Sequence, residues 1–278
     1  MKLGISTLAC NGWTLEKSLE VCRQNGIGAL EVRMGLHPWS QLDLAEEEYR
    51  RIARAIEEAG VVVSDLGTSV VVRDDDPAAL EELERCAQIA GFWHCRGLRI
   101  MLGNFYARRS EPRKPVNRDG ILAWLKKADK IMEAYGTEVW IETHNEFATG
   151  RALRELLDDA GTAHVRLLWD IMHPLEAGES LEESYALMKP DLVHVHIKDG
   201  TPWSDPDMEN YRYTPIGQGS VDIAAAVKLL RDGGYDGWYS LEWEGVWRKE
   251  IQGPDYPPEG AVADFVRLMH TLENRERV

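Results

Sequence analysis

Four stretches of this chain place ionisable side chains where apolar, strand-like runs end. They are "WIETHN" with Glu142 and His144, "LLWDIMH" with Asp170 and His173, "LVHVHIK" with His194, His196 and Lys198, and "SLEWE" with Glu242. Extended backbone sends successive side chains to opposite faces, so His194, His196 and Lys198 share one face, with Lys198 at its end. Burying one unpaired carboxylate costs several kcal/mol, and gathering three without a cation would be severely unfavourable. A shared divalent ion resolves that cost, which makes Glu142, Asp170, His196 and Glu242 the predicted metal ligands. An oxygen-rich set with one nitrogen suits Mn²⁺, Mg²⁺, Co²⁺ or Zn²⁺ without selecting one, and Mn²⁺ is the ion expected. Each residue alone has a plainer reading: Glu142 could pair with an arginine, Asp170 could cap the following turn, and Glu242 could bond backbone. The coincidence of four consecutive strand ends favours the metal. His194 reads as a core residue in the layer beneath.

Such a centre points to proton transfer beside a carbonyl. A cation held by a carbonyl oxygen and its neighbouring hydroxyl acidifies the C–H between them, because enediolate charge develops against it. A carboxylate can then take the proton. Glu142 and Glu242 come from strands three apart and could face opposite sides of a substrate, so both are expected to be catalytic. Return of the proton to the other face is epimerisation; return to the adjacent carbon is aldose–ketose isomerisation. Loss of a β-hydroxyl would be dehydration, the alternative reading, with His144 or Lys198 as general acid. Lys198 is expected to contact substrate unless it pairs with Asp199, and His144 to contact substrate unless it orients Glu142. Glu31, in "LEVR", either holds substrate hydroxyls or pairs with Arg33.

Elements that position these residues repeat about every 35 residues, as 278 divided by eight gives. Strands are predicted at 2–7, 28–33, 61–67, 97–102, 137–143, 164–170, 192–198 and 237–243. Helices are predicted at 14–25, 43–59, 77–91, 117–135, 150–159, 180–188, 220–232 and 259–275, with Thr14, Ser180 and Ser220 as candidate caps. Eight such units imply parallel strands closing into one (β/α)8 barrel over residues 1–278. The competing doubly wound sheet lacks a GxGxxG or P-loop motif. Long connections at 103–116 and 199–219 follow strands and so belong to the C-terminal rim, where a lid would lie. Arg108, Arg109, Arg113 and Lys114 in the first could collect an anion but read more simply as a solvated loop. Trp13, Trp203 and Trp247 lie in rim loops, where an aromatic ring can pack on a sugar's C–H face.

Composition bounds the partners. A net charge of -15 argues against nucleic acid, and a small sugar or polyol is the better-matched ligand. Four cysteines without CxxC spacing, and an N-terminus "MKLGIST" without a signal-peptide pattern, suggest a reduced cytoplasmic protein. No apolar run reaches the length of a membrane helix. Homo-oligomerisation is left open.

"IETHN", "WDIMHP", "HVHIKD", "PIGQGSVD", "SLEWEG" and "GIGALEVR" together resemble the motifs of the xylose isomerase-like barrel superfamily, the sugar phosphate isomerase/epimerase group. The resemblance covers nearly the whole chain. It implies a (β/α)8 barrel whose catalytic divalent ion is held by Glu142, Asp170, His196 and Glu242, with His173 touching substrate. "IETHNEFATGRALRELL" with "SLEWEG" also resembles the 3-dehydroshikimate and inosose dehydratases of that superfamily. Its DNA-repair endonucleases are a poorer match, since the third strand here ends "DLGTS", the fourth "MLGN", and neither carries the extra histidines. A non-catalytic binding barrel is the remaining class.

Overall fold

The computed structural model describes residues 1–10 and 12–275; position 11 and residues 276–278 of the expected domain lie outside the described residues. Eight parallel strands close into a barrel: β1 (Lys2–Ser6), β2 (Ala29–Arg33), β3 (Val62–Val72), β4 (Gly97–Leu102), β5 (Glu138–Glu142), β6 (Val165–Asp170), β7 (Leu192–Ile197) and β10 (Trp238–Leu241). A small antiparallel ribbon, β8 (Gly200–Thr201) with β9 (Arg212–Tyr213), sits in the connection after β7. Closure comes from β1 pairing with β10, Lys2 opposite Trp238 through Ile5 opposite Leu241. The chain is therefore a single-domain (β/α)8 barrel, with strands close to the predicted ranges; only β3 runs clearly further, to Val72.

Helices α1 (Leu15–Asn25), α2 (Glu46–Glu58), α3 (Pro77–Trp93), α4 (Arg118–Tyr135), α5 (Gly150–Ala160), α7 (Leu181–Met188), α8 (Ile223–Asp232) and α9 (Pro258–Arg275) surround the barrel, and a single turn, α6 (His173–Glu176), follows β6. Thr14 accepts from the Lys17 amide and Ser180 forms a reciprocal capping box with Glu183, as their positions suggest. Ser220 does not cap: its hydroxyl donates to the Gly200 carbonyl, and Asp222 accepts from Ala225 N, so α8 begins later than expected.

Strand register places the chemistry. Asp170 lies opposite His196, which lies opposite Ser240, and Ser6, Glu31 and Asp65 align across the first three strands. Glu142 and Asp170 are the last residues of β5 and β6, Lys198 follows β7, and Glu242 follows β10. All four therefore stand at the C-terminal end of the barrel, the end its loops are free to elaborate.

Candidate metal and catalytic centre

Glu142, Asp170, His196 and Glu242 meet: one ligand atom from each lies within 4.8 Å of the others, and all four side chains are buried. His196 is central. Its Nδ1 lies 3.3 Å from Glu142 Oε1, 3.4 Å from Glu242 Oε2 and 4.0 Å from Asp170 Oδ2. Its Nε2 is 2.6 Å from Glu31 Oε2, so the buried carboxylate below fixes the ring while Nδ1 faces the cluster.

The plainer readings are partly realised as well. Arg99 Nη1 donates to Glu142 Oε2 at 3.2 Å. Asp170 Oδ1 caps the following turn by accepting from the amides of Met172 and His173, at 2.8 and 3.2 Å. Its other oxygen, Oδ2, and Glu242 Oε2 are buried without a hydrogen-bond partner. Lys198 Nζ is at ion-pair distance from both, 2.7 and 2.5 Å, yet it is not aligned to donate to either.

Charge balance makes the same point. Buried Glu31, Asp65, Glu142, Asp170 and Glu242 outnumber the permanent cations Arg99 and Lys198, and without an ion the balance falls to His196 and His173, which the acids hold protonated. The unbonded oxygens and the surplus of negative charge fit a bound dication.

Electrostatic neighbours sort the acids. Burial and the Glu242 charge push the Glu142 carboxyl up, but Arg99 and His196 outweigh them and hold it below its ordinary value. Burial opposes ionisation of Glu242 too, and His196 and Lys198 hold it well below. Asp170 is raised by burial, reinforced by Glu242 and Glu142 against the pull of Lys198 and His173. His144 falls to about 4 through burial and the neighbouring His173 charge. Burial also disfavours charge on His173, but Asp170 and Glu176 lift it to about 9. Deeper in, burial and Glu31 push Asp65 to about 6.

Above the cluster opens a cavity of about 530 Å³ whose wall includes Glu142, Glu242, Glu244, His144, Arg33 and Arg99. His144 lies beside His173, ring centroids 4.4 Å apart, and edge-on to Phe105 at 5.2 Å. His173 is buried, with Nδ1 on Glu176 at 2.7 Å and Nε2 3.3 Å from Lys198 Nζ, behind the cavity wall. Lys198 does not pair with Asp199; it is enclosed by Asp170, Glu242, Glu244 and the Tyr213 hydroxyl. Glu31 does not pair with Arg33. Its carboxylate is fully buried against His196, Ser6 and Ser240, and Arg33 turns to backbone carbonyls instead. His194 lies beneath, stacked on Trp140 at 5.5 Å.

The basic loop finds its partners inside the chain. Arg108 pairs with Asp205 and Asp207, and Arg109 and Arg113 pair with Glu209, which joins the two long rim loops. Trp247 and Phe105 both line the cavity and are each 53% exposed. Trp13 lies in a separate depression with Trp39, and Trp203 packs under Arg212. Arg99, Tyr213, Glu244, Arg248 and Phe105 belong to the site but were not singled out by spacing. Only Arg99 left a signal, as the one charge inside the apolar run "GLRIML".

Comparison with known proteins follows the geometry. The chain is 23% identical over 230 residues to an L-ribulose-5-phosphate 3-epimerase of Escherichia coli O157:H7, covering 77% of this chain and 75% of that one. It spans less than half the length of some curated relatives it matches: an inosose dehydratase of Clostridium botulinum is 28% identical over 122 residues, 38% of this chain and 41% of that protein. The crystal structure of the IOLI protein with a binding zinc atom superposes with a TM-score of 0.76 at 18% identity, over 98% of each chain. The model of the xylose isomerase-like TIM barrel family matches residues 19–271, and the chain belongs to that family.

Proposed function

We propose that this protein is an isomerase or epimerase of a sugar or sugar derivative, dependent on one divalent metal ion and working by proton transfer between Glu142, Glu242 and a carbon beside a carbonyl. The observation that carries this reading is the pair itself. Both carboxylates line one cavity, both approach His196 Nδ1, and each has its own fixed cation, Arg99 for Glu142 and Lys198 for Glu242. Glu142, Asp170, His196 and Glu242 would hold the ion, which supplies charge stabilisation at the substrate carbonyl and so acidifies the adjacent C–H.

The chain's own residues do the rest. One glutamate receives the proton on its carboxylate oxygen and can return that same proton to the neighbouring carbon; delivery to the opposite face requires the other glutamate to enter the turnover protonated. Lys198, enclosed by acids that push its pKa well above the ordinary value against the effect of burial, keeps its proton and acts as a fixed positive charge. His144, at about 4, stands neutral near pH 7 and can accept or donate a hydrogen bond to a hydroxyl. Phe105 and Trp247 offer apolar faces at the mouth for the C–H side of a sugar.

A dehydratase is the second reading, supported by the partial similarity to inosose dehydratase. It requires a general acid at the leaving hydroxyl, and a neutral His144 with a charge-locked Lys198 makes a poor supply. The test is incubation of the Mn²⁺-loaded protein in D₂O with ketoses, inososes and 3-dehydroshikimate, followed by NMR. Deuterium beside the carbonyl with the carbon skeleton and hydroxyls intact is expected. Loss of water with new vinylic signals would replace this reading with the dehydratase, and absence of exchange would remove both.

A further inference from the structure

The charged groups on the cavity wall pair off with one exception. Glu142 faces Arg99, Glu242 faces Lys198, and Glu244 faces Arg248 and Lys198. Arg33, the last residue of β2, also lines the cavity but makes no ion pair among the described residues. Its Nη1 is committed to the Met34 and Gly67 carbonyls and the Ser69 hydroxyl, at 2.7, 3.2 and 3.0 Å. Nε and Nη2 carry no hydrogen bond among the described residues. Unlike the free nitrogens of Arg99, they are not among the fully buried unbonded atoms, and Arg33 is part of the cavity lining. Those two atoms form the side-on fork of a guanidinium, which matches two oxygens of one carboxylate or phosphate.

Arg33 is also held against a like charge. Arg99 Nη2 and Arg33 Cδ both crowd Gly67, where an added Cβ would come within 2.7 and 3.5 Å of them. Glu82 and Glu31 are the carboxylates whose charges reach Arg33, and neither is at ion-pair distance from it among the described residues. A ligand without an anionic end would leave the free edge of this guanidinium unbonded in a partly desolvated cavity, whereas an anionic end group would complete it.

We propose that Arg33 binds the anionic end of the substrate, a carboxylate or phosphate monoester, while the carbonyl and hydroxyl end lies at Glu142 and Glu242. The substrate class is then an anionic sugar derivative, a sugar acid or sugar phosphate, rather than a free ketose. This assignment rests on the isomerase or epimerase reading for which end reacts.

Isothermal titration of the Mn²⁺-loaded protein with D-fructose, D-fructose 6-phosphate and 2-keto-D-gluconate separates the two claims. The wild type is expected to bind at least one anionic sugar about tenfold more tightly than fructose, as a charge-assisted fork requires. Arg33→Gln should lose that ratio with fructose affinity unchanged, and Arg33→Lys should keep part of it, which excludes simple misfolding. The phosphate and carboxylate arms show which anion fits. Equal affinities in the wild type, no saturable binding of either anion at tens of millimolar, or a ratio that survives in Arg33→Gln would overturn the assignment. Charge-selective binding without deuterium exchange would leave the subsite standing and remove the isomerase reading; exchange with charge-blind binding would do the reverse.

Discussion

His196 works with both ring nitrogens, and the carboxylate on its far side decides what the near side can do. Glu31 receives Nε2 at 2.6 Å and leaves Nδ1 facing Glu142, Glu242 and Asp170. The contact makes Glu31 the candidate for positioning His196, which a substitution tests. Glu31→Gln should weaken metal binding about 10- to 100-fold, measured by competition with a fluorescent chelator, while the far-ultraviolet circular dichroism stays unchanged. Unaltered metal affinity would reduce Glu31 to core filling. That Glu142, Asp170, His196 and Glu242 meet was legible because each is an ionisable group in or at the end of an apolar run near the C-terminal end of its strand, where a barrel keeps its chemistry. Arg99 breaks one too, in the middle of β4, but nothing in its spacing says that it reaches Glu142 on the neighbouring strand. Glu31 was visible as a buried acid, and only the closed barrel shows that a residue of β2 meets one of β7 across the interior.

The connection after β7 is built on Asp199. Its carboxylate accepts from the amides of Gly200, Gly217, Gly219 and Val221, at 2.8, 2.8, 2.9 and 3.3 Å. That pins both ends of the long rim loop and helps place Tyr213 against Lys198. Asp199→Ala would strand these donors, and a loss of about 1–3 kcal/mol is expected, with faster amide hydrogen exchange confined to 200–221. Unchanged exchange there would show that the loop is held by other contacts. A second element-scale test lies at Gly97, where an added Cβ would come within 2.4 Å of the Trp140 indole. Gly97→Ala should cost about 1–3 kcal/mol in denaturant unfolding, because Trp140 is packed on His194 and has little room to retreat. Loop positions were legible from length and from their place after strands. Their cross-linking was not, because Arg108 and Asp205 are 97 residues apart and each reads alone as part of a solvated charge run.

At the scale of the molecule, barrel closure gathers buried acid. Glu31, Asp65, Glu142, Asp170 and Glu242 converge from five strands or strand ends, and a dication bound there would offset their repulsion in the folded state only. Chelation should therefore lower the melting temperature, and added Mn²⁺ should restore it. At free metal 100 times the dissociation constant, linkage gives about 2.7 kcal/mol, several degrees for a domain of this size. The overall architecture was readable because strand and helix periods alternate cleanly and each parallel strand is an apolar run. Register was not, since a one-residue slip reverses which face a side chain takes, and shifts at Leu30/Glu31 and Leu167/Leu168 help set the inward rows. The most direct measurement is the metal content of protein saturated with Mn²⁺ and then dialysed, for the wild type and Asp170→Asn. This account predicts about one divalent ion per chain in the wild type and its loss in the variant, with the fold intact by circular dichroism. A wild type that retains no stoichiometric metal, or a variant that retains all of it, would contradict the assignment of Glu142, Asp170, His196 and Glu242 as its ligands.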